Sequence, residues 1–391
     1  MIRLTHPITG PDHSGRSRTC SGRPLTRSGP TFRLSGRSFK LSGRAQNLLV
    51  SPLALTTLLA ILFSSALLTS CSTPTDQVNV YSGRHYQSDE TLFRRFTEQT
   101  GIRVNLIKAD TDQLINRMQL EGSSSPADLL ITADAGRLVS AAANGLLQSV
   151  DSELVRQTVP PAFRDPQGYW TGLTKRARVI VYHKDRVDPS ELSTYEDLAD
   201  PAWQGRVLVR SSQNHYNQTL MASVVAAVGP AQAEEWARGL VSNMARSPQG
   251  NDRDQVKAMA AGLGDVAIVN TYYMGLLLNS SNEEERQVAA KAGIFFPNQQ
   301  GRGTHVNISG IGIAAHAPHK ENARKLIEFL LSDEAQRVLS SDNYEYPVSQ
   351  RVEWPELLQS WGTFREDTIP LSRLEPWLQE AMFIFNRAGW K

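Results

Sequence analysis

From residue 78 onward, short apolar runs alternate with polar segments in which apolar residues recur at helical spacing. Such runs are typical of buried strands, and such spacing is typical of amphipathic helices. The predicted strands are 78–81, 102–107 and 127–132, and the predicted helices are 89–99, 112–121 and 134–144. Strands that alternate with helices over this length predict a parallel, doubly wound α/β sheet.

Two longer strands divide this pattern. Residues 169–182 and 303–314 are each predicted to form a long strand, and a second α/β unit lies between them. We interpret both strands as crossovers between two lobes. The first lobe is expected to comprise 78–172 plus about 303–345, and the second 173–302 plus about 346–391.

The segment before residue 78 has a different character. Residues 45–70 are mostly apolar, follow a basic stretch, and end in Leu68-Thr69-Ser70-Cys71, which resembles a bacterial lipobox. We therefore expect 1–70 to be an n-region with a lipoprotein signal, and 71–77 to be a lipidated Cys71 with a polar tether. An uncleaved membrane helix is the alternative. Both interpretations place 78–391 in the periplasm or cell envelope, held to the membrane only by its anchor.

Charge and cysteine content narrow the class of ligand. The net charge is +2, but residues 1–70 hold nine of the 41 basic residues and one of the 39 acidic residues. The remainder therefore has 32 basic and 38 acidic residues, an excess that argues against a nucleic-acid partner. Both cysteines, Cys20 and Cys71, precede the globular part. A metal held there must use oxygen or imidazole ligands.

Four tyrosines are the candidate ligands. Tyr272 and Tyr273 end the apolar run 265–271, and Tyr86 and Tyr216 occupy similar strand-to-loop settings. A phenol, with a pKa of about 10, becomes a strong anionic ligand only when a highly charged cation displaces its proton. Ferric iron fits that description. A single tyrosine usually serves packing, but adjacent tyrosines can reach one ion only where a strand ends, since strand neighbours point to opposite faces.

Several motifs carry a resemblance to a known family. The tyrosine motifs are Ser82-Gly83-Arg84-His85-Tyr86, Arg210-Ser211-Ser212-Gln213-Asn214-His215-Tyr216 and Asn270-Thr271-Tyr272-Tyr273. Segments 126–130, 173–178 and 329–336 add general support. The chain resembles the periplasmic ferric-iron-binding proteins, the bacterial transferrin-like substrate-binding components of iron ABC importers. The resemblance covers 76–391 and implies a two-lobed type II periplasmic binding-protein fold.

The resemblance also implies a ligand set and partners. Tyr86 would come from the first lobe, and Tyr216, Tyr272 and Tyr273 from the second. His85 could be either a ligand or a hydrogen-bond partner, and an added anion is left open. The cargo would be Fe(III), with Fe(II) possible. The protein would act as a monomer without catalysis and would deliver iron to an ABC permease and its ATPase.

Two arginines are candidates to balance the charge of the centre. Four phenolates and one ferric ion leave a single negative charge. Arg176, in the predicted crossover strand, is the first candidate, because guanidinium keeps its charge and donates several hydrogen bonds. Arg84 is the second.

Two other classes of function stay open. The same fold could bind an anion, a polyamine or thiamine, although these need backbone amides, arginines or carboxylates rather than four phenols. An envelope hydrolase is the other class. The sequence has no Gly-x-Ser-x-Gly elbow and no thiol after Cys71.

Overall fold

The computed structural model describes residues 76–391, in which short strands alternate with helices through most of the chain. The strands are β1 (Gln77–Ser82), β2 (Arg103–Lys108), β3 (Leu129–Thr132), β4 (Leu147–Gln148), β5 (Thr171–His183), β6 (Val207–Leu208), β7 (Val266–Asn270), β8 (Ala292–Phe295), β9 (Val306–Ala314) and β10 (Tyr346–Pro347). The predicted leader at 1–70 and the lipidated Cys71 lie outside the described residues. Of the predicted tether 71–77, the last residue, Gln77, is instead the first residue of β1.

Helices separate most of these strands and cover their faces. They are α1 (Gln87–Thr100), α2 (Thr111–Glu121), α3 (Ala135–Ala143), α4 (Glu153–Thr158), α5 (His215–Val228), α6 (Pro230–Ser242), α7 (Asp252–Ala260), α8 (Thr271–Leu278), α9 (Glu283–Ala290), α10 (Lys320–Leu330), α11 (Asp333–Asn343), α12 (Glu356–Ser360) and α13 (Glu375–Ala388). Within the described residues, no helix is both long and apolar enough to cross a membrane.

The strands are hydrogen-bonded in the order β2-β1-β3-β9-β5-β7-β6. The pairs β1–β2, β1–β3 and β6–β7 are parallel, as the alternation of strands and helices predicts. The strand β9 instead runs antiparallel to both β3 and β5. The sheet is therefore mixed, because β9 returns from a distant part of the chain rather than following a helical crossover.

The long strand β5 joins the two groups of strands. Its residues 171–177 pair with β9, and its residues 178–182 pair with β7. Twelve of its thirteen residues are buried, so the strand lies in the interior along nearly its whole length. Consecutive residues point to opposite faces of a sheet, and residues two apart therefore share a face. Arg176 and Arg178 consequently lie on one face of β5.

The helices differ in how much of their surface is buried against the rest of the fold. In α10 the buried residues Ala323, Leu326, Ile327 and Leu330 recur at spacings of three, one and three, which gives one apolar stripe. Helix α5 differs, because ten of its fourteen residues are buried, from Tyr216 through Val225. It is a core helix, and side chains in its first turn are held by packing on several sides.

The close approach of β9 to its neighbours requires glycine at position 310. A Cβ there would lie 2.6 Å from Leu138 Cδ1 and 2.8 Å from the Thr171 carbonyl oxygen. We expect Gly310→Ala to lower the free energy of unfolding by about 1–3 kcal/mol, the usual cost of overpacking. Denaturant unfolding of the metal-free protein measures this. Gly301→Ala is the control, since its Cβ would meet only the Asn298 carbonyl oxygen at 3.7 Å. Equal stability of both variants would contradict the expectation.

Candidate metal centre

Three helix N-termini bring the four tyrosines together. Tyr86 immediately precedes α1, Tyr216 is the second residue of α5, and Tyr272 and Tyr273 lie in the first turn of α8. The N-terminal end of a helix carries partial positive charge and favours anionic oxygen atoms. The backbone of each of the four tyrosines therefore lies at or next to a helix N-terminus.

Local hydrogen bonds fix where two of these helices begin. The Asn214 side chain accepts a hydrogen bond from the Tyr216 N–H at 3.1 Å and caps α5. The strand β7 ends at Asn270, whose N–H donates to Asp252 Oδ2 at 2.9 Å, and α8 starts at the next residue. Tyr272 and Tyr273 thus follow a strand end, as the sequence suggests, but they project from a helical turn.

The phenol groups form one packed cluster. The hydroxyl oxygens of Tyr216 and Tyr272 are 3.2 Å apart. The rings of Tyr272 and Tyr273 have centroids 4.1 Å apart, and Tyr86 meets the Tyr272 ring edge-on at 6.3 Å. Tyr216 and Tyr272 are buried, and Tyr86 and Tyr273 are half-buried. The four side chains named by the sequence motifs are thus neighbours, although up to 187 residues separate them in the chain.

Burial sets the protonation of this cluster. It raises the pKa of Tyr86 well above its ordinary value, and the Glu345 carboxylate and Tyr216 act in the same direction. It likewise raises the pKa of Tyr272 well above the ordinary value, with Tyr216 and Tyr86 adding to the effect. The pKa of Tyr273 is also raised, mainly by burial. Without a cation these phenols stay neutral, so any metal must displace their protons.

Both candidate charge-balancing arginines adjoin the tyrosines. The Arg176 guanidinium carbon lies 5.6 Å from the Tyr216 ring and 6.0 Å from the Tyr272 ring. That of Arg84 lies 4.7 Å from the Tyr86 ring. Burial acts to lower the pKa of Arg176, but Glu345 and the nearby phenols outweigh it and raise the pKa above its usual value. Both guanidiniums therefore remain charged beside the cluster.

Each of these arginines has an acidic partner that the sequence analysis missed. Arg176 Nη1 lies 3.2 Å from Glu345 Oε1, and Arg84 Nη2 lies 3.1 Å from Asp89 Oδ1. Arg84 also lies 3.8 Å from Glu345. These four groups together carry no net charge. Neither arginine is thus an unopposed positive charge.

A second buried charge cluster lies beneath Tyr216. Arg178 Nη1 contacts Asp252 Oδ2 at 2.6 Å, and Arg210 Nη1 lies 3.6 Å from Asp252 Oδ1. The guanidinium carbons of both arginines lie within 6 Å of the Tyr216 ring centre. Two guanidiniums against one carboxylate leave one positive charge. That surplus is opposite in sign to the single negative charge expected for four phenolates around a ferric ion, and the sequence analysis named neither Arg178 nor Arg210.

His85 takes a different position from the tyrosines. Its side chain is exposed, whereas Tyr86 beside it is half-buried in the cluster. Within residues 76–391, no group of three or more histidine, cysteine, aspartate or glutamate side chains is arranged to hold a metal ion. The tyrosine cluster instead brings together four phenol oxygens, a donor type that suits a hard, highly charged cation.

Comparison with known proteins places the chain in a family. The family model described as "Bacterial extracellular solute-binding protein" matches residues 124–364. "Iron uptake protein A1" of Synechocystis is 49% identical over 350 residues, which cover 87% of this chain and 97% of that protein. The chain belongs to this family. Its similarity lies with the ferric-iron-binding members, as the sequence motifs predict.

Solved structures agree with the sequence comparison. The structure of Trichodesmium FutA in complex with iron and citrate is 48% identical to this chain, with a TM-score of 0.78; the match covers 81% of this chain and all of the other. The ferric binding protein of Campylobacter jejuni is 42% identical, with a TM-score of 0.77, covering 80% of this chain and all of the other. The two-lobed α/β binding-protein fold is confirmed, and the family consists of binding proteins rather than enzymes.

The raised phenol pKa values have a measurable consequence for stability. In the unfolded chain the tyrosines ionise near pH 10, while Tyr86 and Tyr272 stay neutral when folded. Their contribution to stability is therefore complete below about pH 10 and is lost as the pH rises further. We expect the free energy of unfolding of the metal-free protein to fall above that pH. In the Tyr86→Phe/Tyr272→Phe variant this free energy should fall less steeply with pH. The same slope in both proteins would contradict the burial argument.

Proposed function

We propose that this protein is the extracytoplasmic substrate-binding component of an iron ABC importer. It binds one Fe(III) ion through the phenolates of Tyr86, Tyr216, Tyr272 and Tyr273. The observation that carries the proposal is the packing of these four phenols into one buried cluster at three helix N-termini. Delivery to a permease and its ATPase follows from the family to which the chain belongs.

The surroundings of the cluster favour a trivalent cation. Neutral buried phenols ionise only for a cation whose field offsets the loss of their protons, and Fe(III) does this better than divalent ions. The surplus positive charge of Arg178 and Arg210 against Asp252 would neutralise the resulting complex. Buried charge is tolerated when it is paired, so the protein supplies its counter-charge in advance. His85, being exposed, could join only as an additional ligand.

Relatives point to the same cargo. One relative is named an iron uptake protein, one neighbouring structure is a ferric binding protein, and another is described with iron and citrate. We extend ferric iron to this chain as its cargo, while citrate or another anion could complete the metal's coordination.

Binding would also close the two lobes. With the division at residues 172 and 303, Tyr86 belongs to the first lobe and the other three tyrosines to the second. An ion held by all four tyrosines would bridge the lobes. It would stabilise the closed form because it binds that form more tightly than the open form. The closed form would dock on the permease, with the protein a monomer in the periplasm, anchored by lipid at Cys71.

The tyrosine pair provides the first test. Tyr272→Phe/Tyr273→Phe removes two phenolate ligands and leaves both rings in place. We expect the ferric affinity, measured by competition with citrate, to fall by more than the roughly 10–100-fold typical of losing an outer-shell partner. Tyr182→Phe on β5 is the matched control, because Tyr182 is half-buried and lies among the residues paired with β8 rather than in the cluster. Unchanged ferric affinity in the double variant would refute tyrosine ligation and direct attention to an organic or anionic ligand.

Proton release provides the second test. Because Tyr86, Tyr272 and Tyr273 are neutral without metal, each one that ligates must release a proton. We expect ferric binding to release protons and the affinity to fall steadily as the pH is lowered. A pH indicator in weak buffer measures the release, with Tyr86→Phe releasing about one proton fewer. Proton-neutral binding would contradict ligation by phenolates.

A further inference from the structure

Glu345 is a fully buried acid that meets the tyrosine cluster from a distant part of the chain. Its Oε1 accepts hydrogen bonds from Arg176 Nη1 at 3.2 Å and from the Tyr86 hydroxyl at 3.4 Å. Its Oε2 accepts one from Thr174 Oγ1 at 2.6 Å. All of these partners donate, and Arg84 lies 3.8 Å away. The side chain is thus held as a carboxylate in direct contact with one of the proposed ligands.

The backbone ties this carboxylate to the helix that carries two other ligands. Helix α11 ends at Asn343, and Tyr344 adopts a left-handed conformation with φ of 58°. Tyr344 packs on Gly275 of α8, where an added Cβ would lie 2.4 Å from Tyr344 Cβ. The Ser340 hydroxyl donates to the Glu345 carbonyl oxygen at 2.7 Å. In this structure the turn that carries Glu345 therefore lies against α8, the helix that carries Tyr272 and Tyr273.

The charge of Glu345 affects trivalent and divalent cations differently. Fe(III) bound by four phenolates makes the centre one unit more negative than the four neutral phenols. A fixed carboxylate nearby opposes that change, and it opposes it most at Tyr86, whose donated hydrogen is lost on ligation. A divalent cation that leaves most phenols protonated makes the centre more positive, which the same carboxylate favours.

We propose that Glu345 is a specificity-determining residue that moderates the affinity for Fe(III) and narrows its advantage over divalent cations. The inference rests on the proposed function, since it assumes phenolate ligation. A moderated affinity would allow the ion to leave when the permease opens the protein. Glu345 acts here through its fixed charge and its contact with Tyr86, and it need not ligate the metal.

Glu345→Gln tests this, because glutamine keeps the shape and loses the charge. At one constant pH, we expect the ferric affinity, measured against citrate, to rise about tenfold, the change that 1.4 kcal/mol brings. The affinity for Mn²⁺, measured directly, should stay unchanged or fall. Ferric affinity that stays the same or falls would overturn the proposal, as would a rise of equal size for both ions. If Glu345 had only a structural role, Glu345→Gln would lower the affinity for both ions.

Two controls make the result specific. Asp89→Asn removes the charge of the other acid paired with Arg84. The Tyr86 hydroxyl donates to Glu345 rather than to Asp89, so this variant should raise ferric affinity less than Glu345→Gln does. In a double-mutant cycle, most of the gain from Glu345→Gln should vanish when Tyr86 is already phenylalanine. A gain that persists in full would contradict the role assigned to the Tyr86 contact.

Failure of this inference can be told apart from failure of the proposed function. If the unsubstituted protein binds no ferric iron, the proposed function fails. If it binds ferric iron and Glu345→Gln does not tighten binding, only the inference fails. Should the glutamine variant not fold, Glu345→Asp draws the carboxylate back from Tyr86 by one methylene and should raise ferric affinity to a smaller degree. Equal or weaker ferric binding by a folded Glu345→Asp variant would then overturn the inference.

Discussion

The need to pair buried charge governs the arrangement of residues around the four tyrosines. Arg84, Arg176 and Arg178 are almost fully buried, and each lies against a carboxylate. Asp89, the partner of Arg84, is a near neighbour in the chain, whereas Glu345 and Asp252 come from distant segments. A buried guanidinium without a partner would cost several kcal/mol, so these carboxylates stabilise the fold around the tyrosines. The central strand β5 supplies two of the arginines from one face, which fixes both pairs relative to each other.

In this arrangement, the candidate ligand atoms and the fixed charges around them come from different side chains. In the proposed centre the tyrosines would provide the ligands, and Tyr86 and Tyr272 would stay neutral until a strongly polarising cation arrives, because burial and the neighbouring phenols raise their pKa values. The surrounding ion pairs provide a fixed field that differs from place to place. The field is balanced near Tyr86, where Glu345 and Asp89 oppose two arginines, and positive beneath Tyr216, where Asp252 opposes two arginines alone.

The parts that sequence reasoning could predict are those with a local signature. The alternation of strands and helices predicted the α/β class, and the structure extends the helix predicted at 89–99 only to Gln87–Thr100. The tyrosines could be named because each stands in a short motif beside a strand end or helix start. Glu345 had no such signal, since its contact with Tyr86 spans 259 residues and depends on the turn at Tyr344. The antiparallel placement of β9 likewise depends on pairing between distant segments, which local periodicity does not encode.

The most direct test of the central claim is a visible absorption titration of the metal-free full chain with ferric citrate. Phenolate oxygens bound to Fe(III) give a broad charge-transfer band, so a red-orange colour that saturates at one equivalent is the expected result. A folded protein that develops no such band would show that the four tyrosines do not ligate iron, whatever else the cleft binds.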